Sequence, residues 1–474
     1  MKKKTVFVSG HFNILHPGHL RFLKFAKERG DILVVAVESN KIAGESAYVD
    51  EKTRLNSIKS ISLVNKAFIL RRPVIEYIKI NKPTIVVKGK EFEDLFNEES
   101  EVLKKYGGSL IFSSGEKMFS SIDLLNKEFQ NLERNFIEKP NSFLNRHKIS
   151  SSKIKKIINN FTKLKVCVFG DLIVDEYITC EPLGMSQEDP TLVISPIDKT
   201  KYVGGAGIVA AHASMLGAKV DFFSVAGKDE IYDFARSKLK DYKVNSNIIT
   251  DLSRPTTLKQ RFRTSDKTLM RVSHLQQNSI SKNIQKRLID NFSKKINKYD
   301  LIVFSDFNYG CLPKKLVEKI TEMARKNKIK IVADSQSSSQ TGDLKKYKKM
   351  SLLTPTEREA RISVSNQDDG LIVLAEELRK KTLAENIILK LAEEGLIIHS
   401  HSKGAAHNDR VPALNSFPKD VAGAGDSLLI SAAMALACKS NIWEAVYIGS
   451  LASAVQVSRV GNLPLSKANL IEIA

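Results

Sequence analysis

The sequence predicts an α/β protein of two domains, and three observations carry that prediction. Short apolar strands alternate with helix-compatible stretches along nearly the whole chain. A turn of small residues that opens a helix occurs early, around Gly18, and again late, around Gly423 to Gly425. The 474 residues exceed what one ordinary core holds.

The first half opens with an apolar strand over residues 5–8, then Gly10-His11-Phe12-Asn13-Ile14-Leu15-His16-Pro17-Gly18-His19, then a helical run over 20–27. Buried parallel strands follow at 32–37, 66–70 and 84–87, with helical stretches between them, the pattern of a doubly wound, Rossmann-like sheet. This domain is expected over 1–138. Residues 139–163 are polar, with Pro140 and a run of serines at 150–152, and read as a linker leading into a basic helix. A new strand at 165–171 opens a larger α/β domain over 164–474, with further strands at 300–305, 329–334 and 387–390. No internal repeat links the halves.

Composition narrows the class. Hydrophobic content of 42% is ordinary for a globular protein. No apolar run approaches the roughly 20 residues a membrane helix needs. The apolar stretch after Met1-Lys2-Lys3-Lys4 stops at Ser9-Gly10, so the start reads as folded protein rather than a signal peptide, and the expected location is cytoplasmic. Four cysteines far apart suit a reducing compartment and argue against a zinc site or disulfide framework. The net charge of +21 raises a nucleic-acid reading, but the lysines are spread along the chain among 53 acidic residues, without a basic arm. Solvated helix faces and attraction for phosphate substrates explain the charge more simply.

The early motif has its chemistry in two imidazoles, His16 and His19, at a helix N-terminus, with Gly18 between them admitting a ligand to the backbone. The first N–H groups of a helix lack partners and its dipole is positive there, so phosphate is attracted. Two histidine donors can steady charge building on an α-phosphorus. The stretch G-x-F-x-x-x-H-x-G-H resembles the signature of cytidylyltransferase-like nucleotidyltransferases, with Asn13 where that family usually has Asp. The resemblance implies a nucleotide site using Gly10, Phe12 and Gly18, with Arg54, Lys88, Gly89, Ser120 and Ser121 on the phosphates.

The late motif is Asp420-Val421-Ala422-Gly423-Ala424-Gly425-Asp426-Ser427 before an apolar helix over 428–437. Small residues there expose N–H groups as an anion cradle, and Asp426 is placed to take a proton from a hydroxyl attacking a γ-phosphate. With Gly170-Asp171, Asp175, Gly204-Gly205-Ala206-Gly207 and Glu359 in the expected order, the domain resembles the ribokinase-like (PfkB) sugar kinases, whose fold carries a small β lid. That resemblance makes Asp426 the base, and Gly423, Ala424 and Gly425 the anion hole. It puts Asp171, Asp175, Gly204 and Gly205 on the sugar, and gives Glu359 and the ATP phosphates the task of holding Mg2+. It also implies dimerisation through the kinase domain.

The two domains together are similar to the bifunctional heptose 7-phosphate kinase/heptose 1-phosphate adenylyltransferases of ADP-heptose synthesis, in reversed order, since there the kinase comes first. Gly184-Met185-Ser186-Gln187-Glu188-Asp189-Pro190 and Phe304-Ser305-Asp306-Phe307 support the likeness. What it implies is a sugar-phosphate kinase and a sugar 1-phosphate nucleotidyltransferase in one chain. Its substrates are a phosphosugar and a nucleoside triphosphate, ATP for the kinase and ATP or CTP as nucleotidyl donor, with no nucleic acid or membrane partner. Five kinase positions depart from the family. Ile208 stands for an Asn, Thr356 for the Asn of Asn-x-x-Glu, and Asp334-Ser335-Gln336 for Asp-Pro-Lys, which loses a phosphate-facing lysine. Lys390 and Ser450 stand for a Thr and an Asn. These departures leave open a transferase whose kinase domain is a sensor or dimerisation scaffold. His399, His401 and His407 are expected on an exposed turn, and Trp443 in the core.

Overall fold

The computed structural model describes all residues except 1–2, 14, 16, 45–46, 90–91, 93–95, 114–136, 265–266, 338–341 and 403–404; for 17, 18, 21 and 402 it describes the backbone alone. The chain forms two compact units, Met1–Arg134 and Asn135–Ala474.

The first unit is built on five parallel strands: β1 (Thr5–Gly10), β2 (Ile32–Glu38), β3 (Lys66–Leu70), β4 (Ile85–Lys88) and β5 (Ser109–Phe112), in the order β3-β2-β1-β4-β5. Successive side chains of a strand face opposite ways. Val6 and Val8 therefore join a core with Leu23, Ala26 and Ile58, while Phe7 joins another with Ile78, Val102 and Leu103. Helices Pro17–Lys27 and Glu51–Lys59 cover the first face, and Val74–Asn81 and Glu98–Lys104 the second. The strand order reverses between β1 and β4, and ligands of such sheets bind in the crevice that this reversal opens at the carboxyl ends. The early motif follows β1 directly, and Gly89 follows β4.

The second unit has a nine-stranded sheet and a four-stranded lid. Its strands are β6 (Lys165–Gly170), β7 (Leu172–Met185), β8 (Leu192–Gly205), β9 (Lys219–Ala226), β10 (Asn245–Thr250), β11 (Thr257–Thr264), β12 (Lys267–His274) and β13 (Leu301–Asp306). They continue as β14 (Lys330–Ser335), β15 (Leu352–Leu353), β16 (Asn386–Lys390), β17 (Leu396–Ser402) and β18 (Ala405–Val411). The main sheet runs β10-β9-β6-β13-β14-β15-β16-β17-β18, and the lid β12-β11-β7-β8. Helices Ala424–Ala437 and Ile442–Val457 are buried along almost their whole lengths, which suits sequences apolar all round. Trp443 is half-buried against the same core.

Two stretches differ from expectation. Residues 139–163 carry the expected basic helix, Ser151–Asn160, but the stretch before it holds a second helix, Asn141–Arg146, and Phe143, Ile154, Ile157, Ile158 and Phe161 lie in the second unit's core. The apolar residues recur at helical spacing there, beneath a polar surface that reads as a linker. His399 and His401 lie on β17 and His407 on β18, not on a turn. His399 is buried against Asn408 Oδ1 at 2.7 Å and Glu376 Oε2 at 2.8 Å, so polar partners let it occupy an inward strand position.

Candidate functional sites

In the first unit the β1 carboxyl end is shaped by close ring packing. A Cβ at Gly10 would lie 3.3 Å from the Phe12 ring, and the rings of Phe12 and His19 are 5.3 Å apart. Phe12 is buried and has φ 51°, a left-handed conformation uncommon for a bulky residue and held here by its surroundings. His19 lies in the first turn of helix Pro17–Lys27. Asn13 is buried, and its Oδ1 accepts N–H bonds from Tyr48 at 3.1 Å and Val49 at 3.4 Å. An amide oxygen thus organises the loop before helix Glu51–Lys59 without bringing charge.

Arg54, expected on phosphate, is instead fully buried. Its Nε donates to Val49 O, and its two terminal nitrogens to His11 O and Asn40 Oδ1, each at 2.7 Å. Those acceptors lie just before its own helix, in the motif loop and just after β2, so three of the guanidinium's five N–H donors tie these segments together. Lys88 Nζ is 3.0 Å from Glu99 Oε1 and 4.9 Å from the Phe92 ring centroid. Gly89 O accepts the Phe92 N–H. His16, Ser120 and Ser121 fall outside the described residues.

The second unit holds a cavity of about 560 Å³ between the lid and the carboxyl ends of the main sheet. Asp175, Gly205, Glu359, Gly423, Gly425 and Asp426 line it, with Gln336, Lys390 and Asn462. Gly423 (φ 77°) caps helix Ala424–Ala437, and Asp426 sits in that helix's first turn, 5% exposed. The turn is held by Asp420, whose Oδ1 accepts the Ala422 N–H at 3.0 Å, while its Oδ2 accepts from Tyr177 Oη at 2.9 Å. Gln336 Nε2 donates to Asp426 Oδ1 at 3.2 Å. Burial, then the Asp334 charge, push the Asp426 carboxyl up to about 7, with Lys390 opposing. A carboxyl poised there suits proton transfer near neutral pH.

Asp175 faces Arg261, Oδ1 to Nη2 at 3.4 Å, and burial raises its pKa despite that partner. Gly204 is not among the lining residues but backs it: a Cβ there would lie 2.2 Å from Asp175 Oδ2. Asp171, expected on the sugar, turns away from the cavity lining. It is 4% exposed and accepts N–H bonds from Phe307 at 2.8 Å, Tyr309 at 3.4 Å and Cys311 at 3.2 Å. A buried carboxylate needs such donors, and this one fixes the turn after β13. Ala424 opens the helix without lining the cavity. Glu359 and Thr356 form a capping box on helix Glu357–Val364, with Glu359 Oε2 accepting the Thr356 N–H at 2.7 Å and Oε1 the Ser337 N–H at 2.9 Å. Thr356 therefore serves as an N-cap, a task that Asn performs at least as well. Ile208 is buried in helix Ala206–Met215, and Ser450 in helix Ile442–Val457.

The lid supplies residues that the sequence reading missed. Lys259, Arg261, Arg263 and Arg271 all line the cavity, and Arg261 and Arg271 stand directly opposite in the β11–β12 register. The signal was present as Lys259-Gln260-Arg261-Phe262-Arg263, a cation at every second position of a strand.

A family model described as pfkB family carbohydrate kinase matches residues 163–467. The chain belongs to that family. A cytidylyltransferase-like model matches residues 7–157, ahead of the pfkB unit. Among curated proteins, the chain is similar to the Bifunctional protein HldE of Aliarcobacter butzleri, 32% identical over 304 residues, 63% of this chain and 62% of that one. The same-named protein of Sulfurimonas denitrificans is 30% identical over 322 residues, 67% of this chain and 65% of its own. The match thus spans under two thirds of these relatives' length. Among solved structures, Arabidopsis thaliana ribokinase complexed with ribose and ATP covers 65% of this chain and 98% of its own, with TM-score 0.52 and 14% identity. Escherichia coli phosphofructokinase-2 aligns over the same shares, with TM-score 0.52 and 16% identity. These likenesses establish the fold of the pfkB unit.

Proposed function

We propose that the chain makes a nucleotide-activated sugar in two steps, ADP-heptose or a related product. The pfkB unit phosphorylates the anomeric hydroxyl of a phosphosugar, and the cytidylyltransferase-like unit joins the sugar 1-phosphate to ATP or CTP and releases pyrophosphate. The observation that carries the reading is the cavity uniting Asp426, the glycine turn and the lid cations. Asp426 takes the hydroxyl proton while N–H groups around Gly423 to Gly425 face the phosphoryl group. Asp175 orients the sugar. Asp175 answers Arg261, but Lys259, Arg263 and Arg271 line the same cavity, with Arg271 directly opposite Arg261, so the lid side keeps a surplus of positive charge that suits an anion. The phosphate already on the sugar meets that need.

Among the described residues no group of three or more His, Cys, Asp or Glu could hold a metal ion. The donor set fits magnesium arriving on nucleotide phosphates, with Glu359 ordering its water, rather than a protein cage. Bound so, the ion supplies charge neutralisation across the phosphates. In the first unit His16 and His19 steady the α-phosphorus, and Lys88, Ser120 and Ser121 contact phosphates. The nucleophile there is already an anion, so positioning and charge neutralisation carry the step.

Four free cysteines, and no helix among the described residues long and apolar enough to cross a membrane, support a cytoplasmic placement. Leu183, Met185, Leu192, Val193 and Ile197 are exposed on β7 and β8, which supports a homodimer through the lid.

Mass spectrometry of one reaction tests the reading: the protein with magnesium, ATP, CTP and heptose 7-phosphate. ADP together with an ADP- or CDP-heptose is expected. No ADP, yet a nucleotide-sugar once heptose 1-phosphate is supplied, would leave the transferase alone active.

A further inference from the structure

Two of the five departures meet in one place. Gln336 follows β14 and Lys390 ends β16, both at carboxyl ends of parallel strands facing the cavity. Lys390 Nζ lies 2.9 Å from Asp334 Oδ2, and the pair is nearly buried, 13% and 1% exposed. The ammonium also lies against the first turn of helix Ala424–Ala437: a Cβ at Gly425 would be 3.3 Å from Nζ. A cation and the positive end of a helix converge there, an arrangement that favours an anion between them. Gln336, meanwhile, spends its amide on Asp426.

We propose that Lys390 is a catalytic residue of the pfkB unit that contacts the transferred phosphoryl group, supplying from β16 the cation absent at position 336. The inference rests on the kinase reading above. In the step, the sugar hydroxyl oxygen bonds to the γ-phosphorus and its proton passes to Asp426. The bond from the γ-phosphorus to the bridging oxygen breaks, and ADP leaves with the electron pair. Lys390 keeps its proton throughout and neutralises equatorial charge. Asp334 holds the ammonium in place, and Gln336 holds the base.

The competing account makes Lys390 only a counter-ion for buried Asp334, a role that affects folding but not discrimination between nucleotides. The test compares the full chain with Lys390→Thr, Asp334→Asn/Lys390→Thr and Gln336→Lys/Lys390→Thr, each checked by thermal melting. Affinities for Mg·ATP and Mg·ADP are measured by calorimetry, and ADP release with heptose 7-phosphate by mass spectrometry. The Asp334→Asn/Lys390→Thr variant leaves no unpaired carboxylate behind. We expect Lys390→Thr to lose about 100-fold in kcat and about tenfold in preference for ATP over ADP, with the added Gln336→Lys change restoring about tenfold of the rate. ADP release by the parent with both quantities unchanged in folded Lys390→Thr would overturn the inference and leave the kinase standing. Loss of ATP preference in Lys390→Thr, when the parent releases no ADP, would uphold the phosphate contact and overturn the kinase reading. A parent that binds no Mg·ATP would overturn both.

Discussion

At Asp426 one carboxyl serves two opposed ends. Its pKa is raised from the ordinary 3.8 to about 7 by burial and the neighbouring Asp334 charge. The folded state thus favours the protonated form, and the stability this gives is present at low pH and lost as pH rises through about 7. Activity under the proposed mechanism runs the other way, because Asp426 must be ionised to act as base. ADP formation is expected to rise with pH to a plateau above about 7, measured as kcat against pH. Asp426→Asn is expected to cut that rate by about 10³-fold and yet to melt higher than the parent, by an amount that grows between pH 5 and pH 8. Arg54 invites a different prediction. Removing three buried guanidinium bonds to Val49 O, His11 O and Asn40 Oδ1 with Arg54→Ala should cost the first unit about 3 kcal/mol. Differential scanning calorimetry would place the loss in one transition and leave the pfkB transition where it was. A raised KM for nucleotide with unchanged melting would return Arg54 to the phosphates.

Elements position these residues, and most were legible in the sequence. The motif loop after β1 and the glycine turn before helix Ala424–Ala437 could be read because helix N-termini demand small residues and caps at fixed offsets. The strands at 32–38 and 301–306 could be read because both faces are buried and all but their last positions are apolar or small. What was not legible is which face a polar residue takes. Asp171 and Asp175 are four apart and both acidic, yet one clasps the turn after β13 and the other lines the cavity. Nor does Arg54 announce that two of its partners are carbonyls, since backbone acceptors leave no trace in composition. The lid was missed for a plainer reason: three cations on alternate positions look like any solvated edge strand until the partner strand sets Arg271 opposite Arg261. Arg261→Ala and Arg271→Ala should each raise KM for the phosphosugar about tenfold, while KM for ATP holds. Steady-state kinetics at low and high salt would check this, the parent's phosphosugar KM rising with ionic strength.

At the scale of the molecule, the chain divides into units with separate cores, so each site can be removed without the other. His19→Ala should abolish nucleotide-sugar formation while ADP still accumulates, and Asp426→Asn should do the reverse when sugar 1-phosphate is supplied. The two variants mixed should together regain the full sequence from phosphosugar, followed by mass spectrometry; failure of the mixture would argue for a sugar 1-phosphate that never leaves the chain. The order of the units has a consequence for synthesis itself. The five strands described for the first sheet end at Phe112, whereas Asp426 arrives about 300 residues later, after those described for the second. At roughly 5–20 residues per second the ribosome exposes the first unit many seconds before the pfkB unit has its proposed base. On the division of labour proposed above, a message broken late would still yield the first sheet, and with it a unit that takes up a sugar 1-phosphate its own chain cannot make.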